Sequence, residues 1–410
     1  MSSLEANPEV TTPPKPAVAQ PALAQPTAAQ PAAAQPAAAQ PAVAQSGAAQ
    51  PAAAGSAGER WDLFEGAPVA LGGPRGMQVV RTLPNKHRRM VGAWCFLDAY
   101  GPHDLAGTPG MRVGPHPHIG LQTVTWLVRG EVLHRDSLGS LQEIRPGQLN
   151  LMTAGRGISH SEETPAEHSP VLEGVQLWVA LPDSDRHTAP TFAHHDDLPV
   201  LTDGGLTATV LMGELAGVTS PARAYTPLLG AELTLTPGTV TEIPLRPDFE
   251  HAVLLLEGTA TVAGTPVSAG PLLYLGEGRR TLRLEAPARP SSGPPASSRS
   301  PAGTGSWSPA RPTSEPPAGS ASGSSADSRP GSAPPVRLML LGGEPFDERL
   351  TMWWNYVARD HDEIVEARRA WEDAATSPST RFGEVHGYPG SRIPAPPMPI
   401  TRLVARPRAR

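Results

Sequence analysis

Two histidines flanking a proline, His116-Pro117-His118, and a second pair forty-two residues on, His160-Ser161-Glu162, are the side chains of this 410-residue sequence best suited to chemistry. In a strand, residues i and i+2 share a face with Cα atoms about 6.5 Å apart. His116 and His118 therefore project side by side, and Pro117 faces the other way. Two imidazoles so placed can close on one ion with metal–nitrogen bonds of about 2.1 Å. His160 and Glu162 repeat the spacing, so two strands together offer three imidazoles and one carboxylate. Held octahedrally, an ion with those ligands keeps two positions for water, oxygen or substrate. Pro117 holds His116 extended and has no N–H for a neighbouring strand, which places the motif at a strand's start or edge.

Other candidates carry less. His134 and Asp136 share the i, i+2 spacing and suit either orienting a ligand or a structural polar pair. Arg156, in "AGRG", fits an anion contact or a turn. His194 and His195, in "HHDD", read as a solvated loop. Trp353 and Trp354 read as core or interface residues. Cys95 is the only cysteine and lies among apolar neighbours in "GAWCFLDAY". It reads as a small core residue, and one thiol cannot form an intrachain disulfide.

The elements that must position these groups are short strands. "GLQTVTWLV", "QLNLMTAG", "VQLWVAL", "ATVLMGEL", "AELTLTPGTVTEIPL", "HAVLLLEGTATVAG" and "PLLYLG" are rich in Val, Leu, Thr and aromatics, with Gly and Pro turns between them. That pattern predicts an all-β sandwich or barrel. Glycine turns and Pro-Gly or Ala-Gly steps recur in two blocks, which suggests two related barrels in tandem. Near the C-terminus, Asp360 and Glu363 resemble a capping box. Ile364, Ala367, Arg368 and Trp371 follow one face of a short helix. "TMWWNYVA" before it reads as a strand.

Two tracts break the pattern. Residues 15–54 repeat a five-residue unit, "AQPAA", whose regular proline forbids a stable helix, so residues 1–58 read as a disordered arm. Residues 287–335 have a linker's composition, yet "RTLRLEA" before and "VRLMLLGG" after read as strands. The tract is therefore expected as a disordered insertion inside a domain. The expected organisation is a metal-binding domain at 59–195, a second barrel at 196–375 holding the insertion, and a solvated tail at 376–410. A formal charge of −6 is too mild for a nucleic-acid or membrane surface. No apolar run long enough to span a membrane and no secretory signal are visible, so a soluble cytoplasmic protein is expected.

The residues around the four candidates resemble the pirin family of the cupin superfamily. The segments that carry the resemblance are "NKHRRMVGAWCFLDAYGP", "HPHIGLQTVTWLVRGEVLHRDSLGS", "RPGQLNLMTAGRGISHSE", "LEGVQLWVALP" and "VRLMLLGGEPFDERLTMWWNYVARDHDEI". It spans residues 60 to 375 apart from the insertion. The resemblance implies two tandem cupin (jelly-roll) β-barrels with one metal, usually iron, in the first. It places the family's ligands on His116, His118, His160 and Glu162. Some pirins resemble quercetin 2,3-dioxygenases, and eukaryotic members act as iron-dependent transcriptional cofactors. The implied function is an Fe(II)-dependent opening of a flavonol such as quercetin by O2, with Glu162 also serving as catalytic base. The alternative is a redox-sensing, metal-holding regulator that binds a protein partner. Mn, Ni, Co or Cu would suit the same ligands. The chain departs from the general cupin pattern at Gln122 and Thr123, where a glutamate is usual, and at Asn150, where a second-motif histidine is usual. The second barrel has only the isolated His251 and is expected to be metal-free and structural.

Overall fold

The strand Leu121–Arg129 illustrates how alternation builds the molecule. Val124 and Trp126 point to one side, into a core shared with Leu254, Met339 and Leu341 of a second sheet. Thr125 points to the other side, where its hydroxyl reaches Glu162. A sheet buried on both faces needs apolar residues on one and satisfied polar groups on the other. The computed structural model describes residues 61–71, 77–288, 335–375 and 381–409. The repeat at 15–54 lies outside the described residues, as does nearly all of the insertion.

Two barrels of identical strand order result. In the first, a sheet runs Thr191–His195, Leu149–Thr153, Leu121–Arg129, Val171–Ala180, Trp94–Asp104, Met77–Leu83, Ala67–Leu71. In the second, the matching order is Asp62–Phe64, Leu272–Gly276, Glu250–Glu257, Val336–Gly343, Leu228–Leu235, Leu206–Leu215, Val200–Asp203, with Val218–Thr219 added beside Leu206–Leu215. Each large sheet faces a four-stranded one. The first is Arg112–His118, Ile158–Glu163, Val132–Asp136, Leu141–Ile144. The second is Val240–Pro244, Thr281–Glu285, Thr259–Val262, Thr265–Ser268. The expected all-β tandem architecture is therefore present. The insertion joins Thr281–Glu285 to Val336–Gly343, two strands of one barrel but of different sheets.

The interiors differ. The second barrel is filled by aliphatic side chains such as Leu233, Ile243, Leu255, Val262, Leu282 and Leu340. The first is apolar at one end only, around Val113, Leu127, Val132 and Ile144. Its other end carries the histidines.

The large sheets pack against each other closely enough to need glycine. A Cβ on Gly92, whose φ is +51°, would lie 2.6 Å from the Gly343 Cα. The Trp94 indole N–H reaches across to the Leu229 and Gly342 carbonyls at 3.0 and 3.1 Å. The buried carboxylate of Glu250 gathers the junction. It accepts from Gly92 N at 2.9 Å, Arg88 Nη1 at 3.0 Å and the Tyr274 hydroxyl at 2.8 Å, and it pairs with Arg408.

Three expectations need correction. "TMWWNYVA" is a hairpin, Thr351–Trp353 with Tyr356–Ala358, turned at Trp354, whose φ is +52°. His194 and His195 belong to the strand Thr191–His195 and are half-buried, because they extend the large sheet beyond Leu149–Thr153. The segment after 380 is not a solvated tail. Phe382 is buried, the Ile393 N–H donates to the Pro115 carbonyl at 2.8 Å, and Arg406 bridges Leu350. An edge strand with unpaired backbone groups needs such a cover, and this segment lies along the outer edge of Arg112–His118. The strand Asp62–Phe64, near the start of the expected first domain, hydrogen-bonds to Leu272–Tyr274 of the second barrel. The helix His361–Asp373 starts as expected, with Asp360 accepting from Asp362 N and Glu363 N.

Removing Glu250 leaves the buried Tyr274 hydroxyl and the Gly92 N–H without their acceptor and the half-buried Arg88 without its carboxylate, a loss of about 3–5 kcal/mol. Glu250→Ala is expected to lower the urea midpoint markedly, whereas the exposed Glu242→Ala moves it little. Equal midpoints for both variants would show that the junction contributes no net stability.

Candidate metal centre

The pairing register assembles the centre. His160 lies opposite His116 on one side and Asp136 on the other, and Ile158 lies opposite His118. The His-Pro-His motif sits at the end of Arg112–His118, not at a strand's start. The strand is an edge, however, which is what a proline without an N–H requires. Toward Arg112–His118 the register shifts by one residue between His160 and Glu162, the extra residue lying in the His-Pro-His strand, so that Glu162 lies opposite Val113. Toward Val132–Asp136 the register is regular, and it sets Glu162 directly opposite His134.

Two overlapping groups follow. The ligand atoms of His116, His118 and His160 lie within 4.8 Å of one another, as do those of His134, His160 and Glu162. The three histidines selected from the sequence thus share one group, whereas Glu162 falls in the other with His134, and His160 is common to both. His134, weighed only as an orienting residue, belongs to the cluster. Every member is buried.

Hydrogen bonds fix the rings. His116 Nδ1 donates to the Gly114 carbonyl at 2.9 Å, and His118 Nδ1 to the Asn355 carbonyl at 3.0 Å. A neutral imidazole has one proton, so both Nε2 atoms are bare lone pairs facing inward. His118 Nε2 lies 3.0 Å from His160 Nε2, and His160 Nδ1 lies 3.4 Å from His134 Nδ1. His134 Nε2 is 3.2 Å from Asp136 Oδ2 and spends its proton there. With one proton, neutral His160 can bridge only one of its two nitrogen contacts, and the other sets lone pair against lone pair. A cation bound at the inward Nε2 atoms removes that conflict, so this donor set fits a metal ion. Nitrogen and carboxylate ligands of this kind suit Fe(II) and several other divalent ions alike.

Burial sets the protonation. It pushes His116 down to about 4, against the opposing Gly114 carbonyl, with His134 adding repulsion. His118 and His160 lie well below the usual histidine range, first through burial and then through their neighbouring imidazoles. Burial raises Glu162, which His134 and the Thr125 hydroxyl partly offset. Thr125 donates to Glu162 at 3.1 Å and contacts Gln176 at 3.1 Å. The Trp178 ring meets His118 edge-on at 5.2 Å and stacks on Phe96 at 3.9 Å, which in turn lies under the Arg81 guanidinium.

The remaining candidates lie elsewhere. Arg156 is exposed, and Trp353 and Trp354 pack against the cluster around Tyr356 and Phe382. Buried Cys95, its thiol pushed up to about 12 by desolvation, is inert. Asn150 accepts from His194 at 2.7 Å. Gln122 donates to Thr153 and to the Arg223 carbonyl. His251 is fully buried in the second barrel, beside Phe249. The inward side of Thr125 and Trp178 could be found by alternation along their strands. The Asn355 carbonyl, 237 residues from His118, has no local signal.

Comparison with known proteins places these features. The family model described as Pirin matches residues 76–179, and that described as Pirin C-terminal cupin domain matches 320–377. A Pseudomonas aeruginosa protein named as a candidate quercetin 2,3-dioxygenase is 42% identical over 325 residues, 79% of this chain and 87% of that protein. A pirin-like protein of Caulobacter vibrioides is 34% identical over 304 residues, 72% of this chain and 88% of that one. The crystal structure of a quercetin 2,3-dioxygenase from Acinetobacter baumannii superposes with a TM-score of 0.69 at 39% identity, covering 84% of this chain and 97% of its own.

The depressed imidazoles predict acid sensitivity without metal. The unfolded chain binds protons below the ordinary value of 6.5 and the folded His116 does so only near 4, so stability present above pH 6.5 is lost as pH falls toward 4. His116 alone accounts for on the order of 3 kcal/mol. The raised Glu162 acts with opposite sign, and three imidazoles outweigh it. Chelated protein should therefore unfold at markedly lower urea at pH 5 than at pH 7.5, with His116→Ala, His118→Ala and His160→Ala each flattening the slope. A midpoint independent of pH over this range would show that the rings are not held neutral.

Proposed function

The chain belongs to the pirin family, and on that premise we propose that it is a metal-dependent dioxygenase opening a flavonol such as quercetin. His116, His118, His160 and Glu162 hold the ion, with Fe(II) as the working metal. The observation that carries this reading is the convergence of bare Nε2 atoms in a buried barrel end. The names borne by the Pseudomonas and Acinetobacter relatives support a flavonol and O2 as its small-molecule partners. They favour an enzyme over a redox-sensing regulator. Among the described residues no helix is long and apolar enough to cross a membrane.

A divalent ion bound here supplies a Lewis acid that lowers the pKa of a coordinated hydroxyl and activates it toward oxygen. The protein's own groups do the rest. His116 and His118 are locked by backbone carbonyls at Nδ1, so their Nε2 atoms need no reorganisation to bind. Glu162 is the proton acceptor: burial raises its basicity above that of a free carboxylate, and the Thr125 hydroxyl orients it. Trp178 and Phe96 form an aromatic wall that excludes water beside His118.

The first test is oxygen uptake by Fe(II)-loaded protein with quercetin, followed together with loss of the flavonol absorbance. Uptake that disappears in His116→Ala is the expected result. A fully loaded protein that consumes no oxygen with any flavonol would remove the dioxygenase reading. Glu162→Gln should lower kcat by at least about 100-fold while retaining most of the metal. Loss of metal in step with activity would instead make Glu162 a ligand only.

A further inference from the structure

The proposed reaction makes no use of His134 and Asp136, yet both are 2% exposed and joined to the centre. Asp136 is held firmly, its Oδ1 accepting from Leu138 N at 2.9 Å and Ser140 N at 3.0 Å. Its Oδ2 faces His134 Nε2 at 3.2 Å, and His134 Nδ1 faces His160 Nδ1 at 3.4 Å. Phe192 stacks on the His134 ring at 4.4 Å and 15°, which fixes the ring's plane.

The polarity of this row runs one way. An ionised carboxylate only accepts, so the His134 proton sits on Nε2, and Nδ1 of a neutral ring is then an acceptor. His160 must donate to it from Nδ1. That leaves His160 Nε2 bare, facing the His118 Nε2 atom 3.0 Å away. We infer that Asp136 and His134 are positioning residues that select the tautomer of His160, so that its Nε2 is the atom offered to a metal ion. The inference rests on reading His160 as a ligand. It assigns His134 no metal of its own, although His134, His160 and Glu162 are close enough to form a separate group.

Asp136→Asn tests the row without changing its shape. The two backbone N–H groups keep the amide oxygen, so the new NH2 faces His134 Nε2 and reverses the row. His134 then donates from Nδ1 to His160 Nδ1, and the His160 proton moves to Nε2. Long-range nitrogen–proton NMR on the metal-free full-length protein reads that shift directly. Zn(II) affinity, measured by competition with a chelator, should fall about 10- to 100-fold. His134→Phe keeps the stack on Phe192 but offers no acceptor and should weaken Zn(II) similarly. His134→Asn, with an amide oxygen near the former Nδ1, should recover most of the loss.

An unchanged His160 tautomer in Asp136→Asn would overturn the inference. So would a drop from two bound zinc ions to one in His134→Phe, which would make His134 a ligand. Equal losses in all three variants, tracking their unfolding midpoints, would reduce the row to a structural role and also overturn it. If the unaltered protein takes up no zinc, the proposed centre fails, while the tautomer in the metal-free protein still decides whether Asp136 and His134 set it.

Discussion

Three imidazole rings with centroids 4.4 to 4.9 Å apart, buried at the end of a barrel, cannot all carry charge. Burial removes the water that would stabilise the charge, and each ring repels the next. They are stable as neutral rings, and neutral rings fixed at Nδ1 present their lone pairs together. The rest of the structure serves this constraint. The strand register brings His116 and His160 opposite each other and Glu162 opposite His134, and the Gly114 and Asn355 carbonyls accept hydrogen bonds from the two Nδ1–H groups.

The second barrel shows the same framework without that constraint. Strand for strand it repeats the first, but aliphatic side chains fill the interior, Ile243 and Leu282 among them. A filled barrel is a rigid neighbour, and the first barrel's large sheet packs against it through Trp94, Gly92 and Glu250. The second half also reaches into the centre itself. The hairpin 351–358 supplies the Asn355 carbonyl, and the segment from Phe382 to Ile393 covers the edge strand on which His116 and His118 lie. Two domains of an apparently serial chain are thereby interlocked around one cluster.

The sequence alone brought the three histidines His116, His118 and His160 forward together with Glu162, because the two-residue repeat of a strand is a local property and histidines or carboxylates at that period share a face. It determined the tandem all-β plan for the same reason, since short Val/Leu/Thr runs and glycine turns recur in both halves. It also named the family, through motifs that lie next to those residues. Tertiary structure decided what local spacing cannot encode. The grouping of Glu162 with His134 and His160, and not with His116 and His118, depends on how three strands pair. The place of His134 in the cluster depends on a third strand beside them. The backbone acceptor for His118 is a carbonyl, which every residue possesses, so no residue type marks Asn355 in advance. The segment after 380 read as solvent-exposed because its composition is polar and proline-rich, and only the unpaired edge of Arg112–His118 explains why it is held in place.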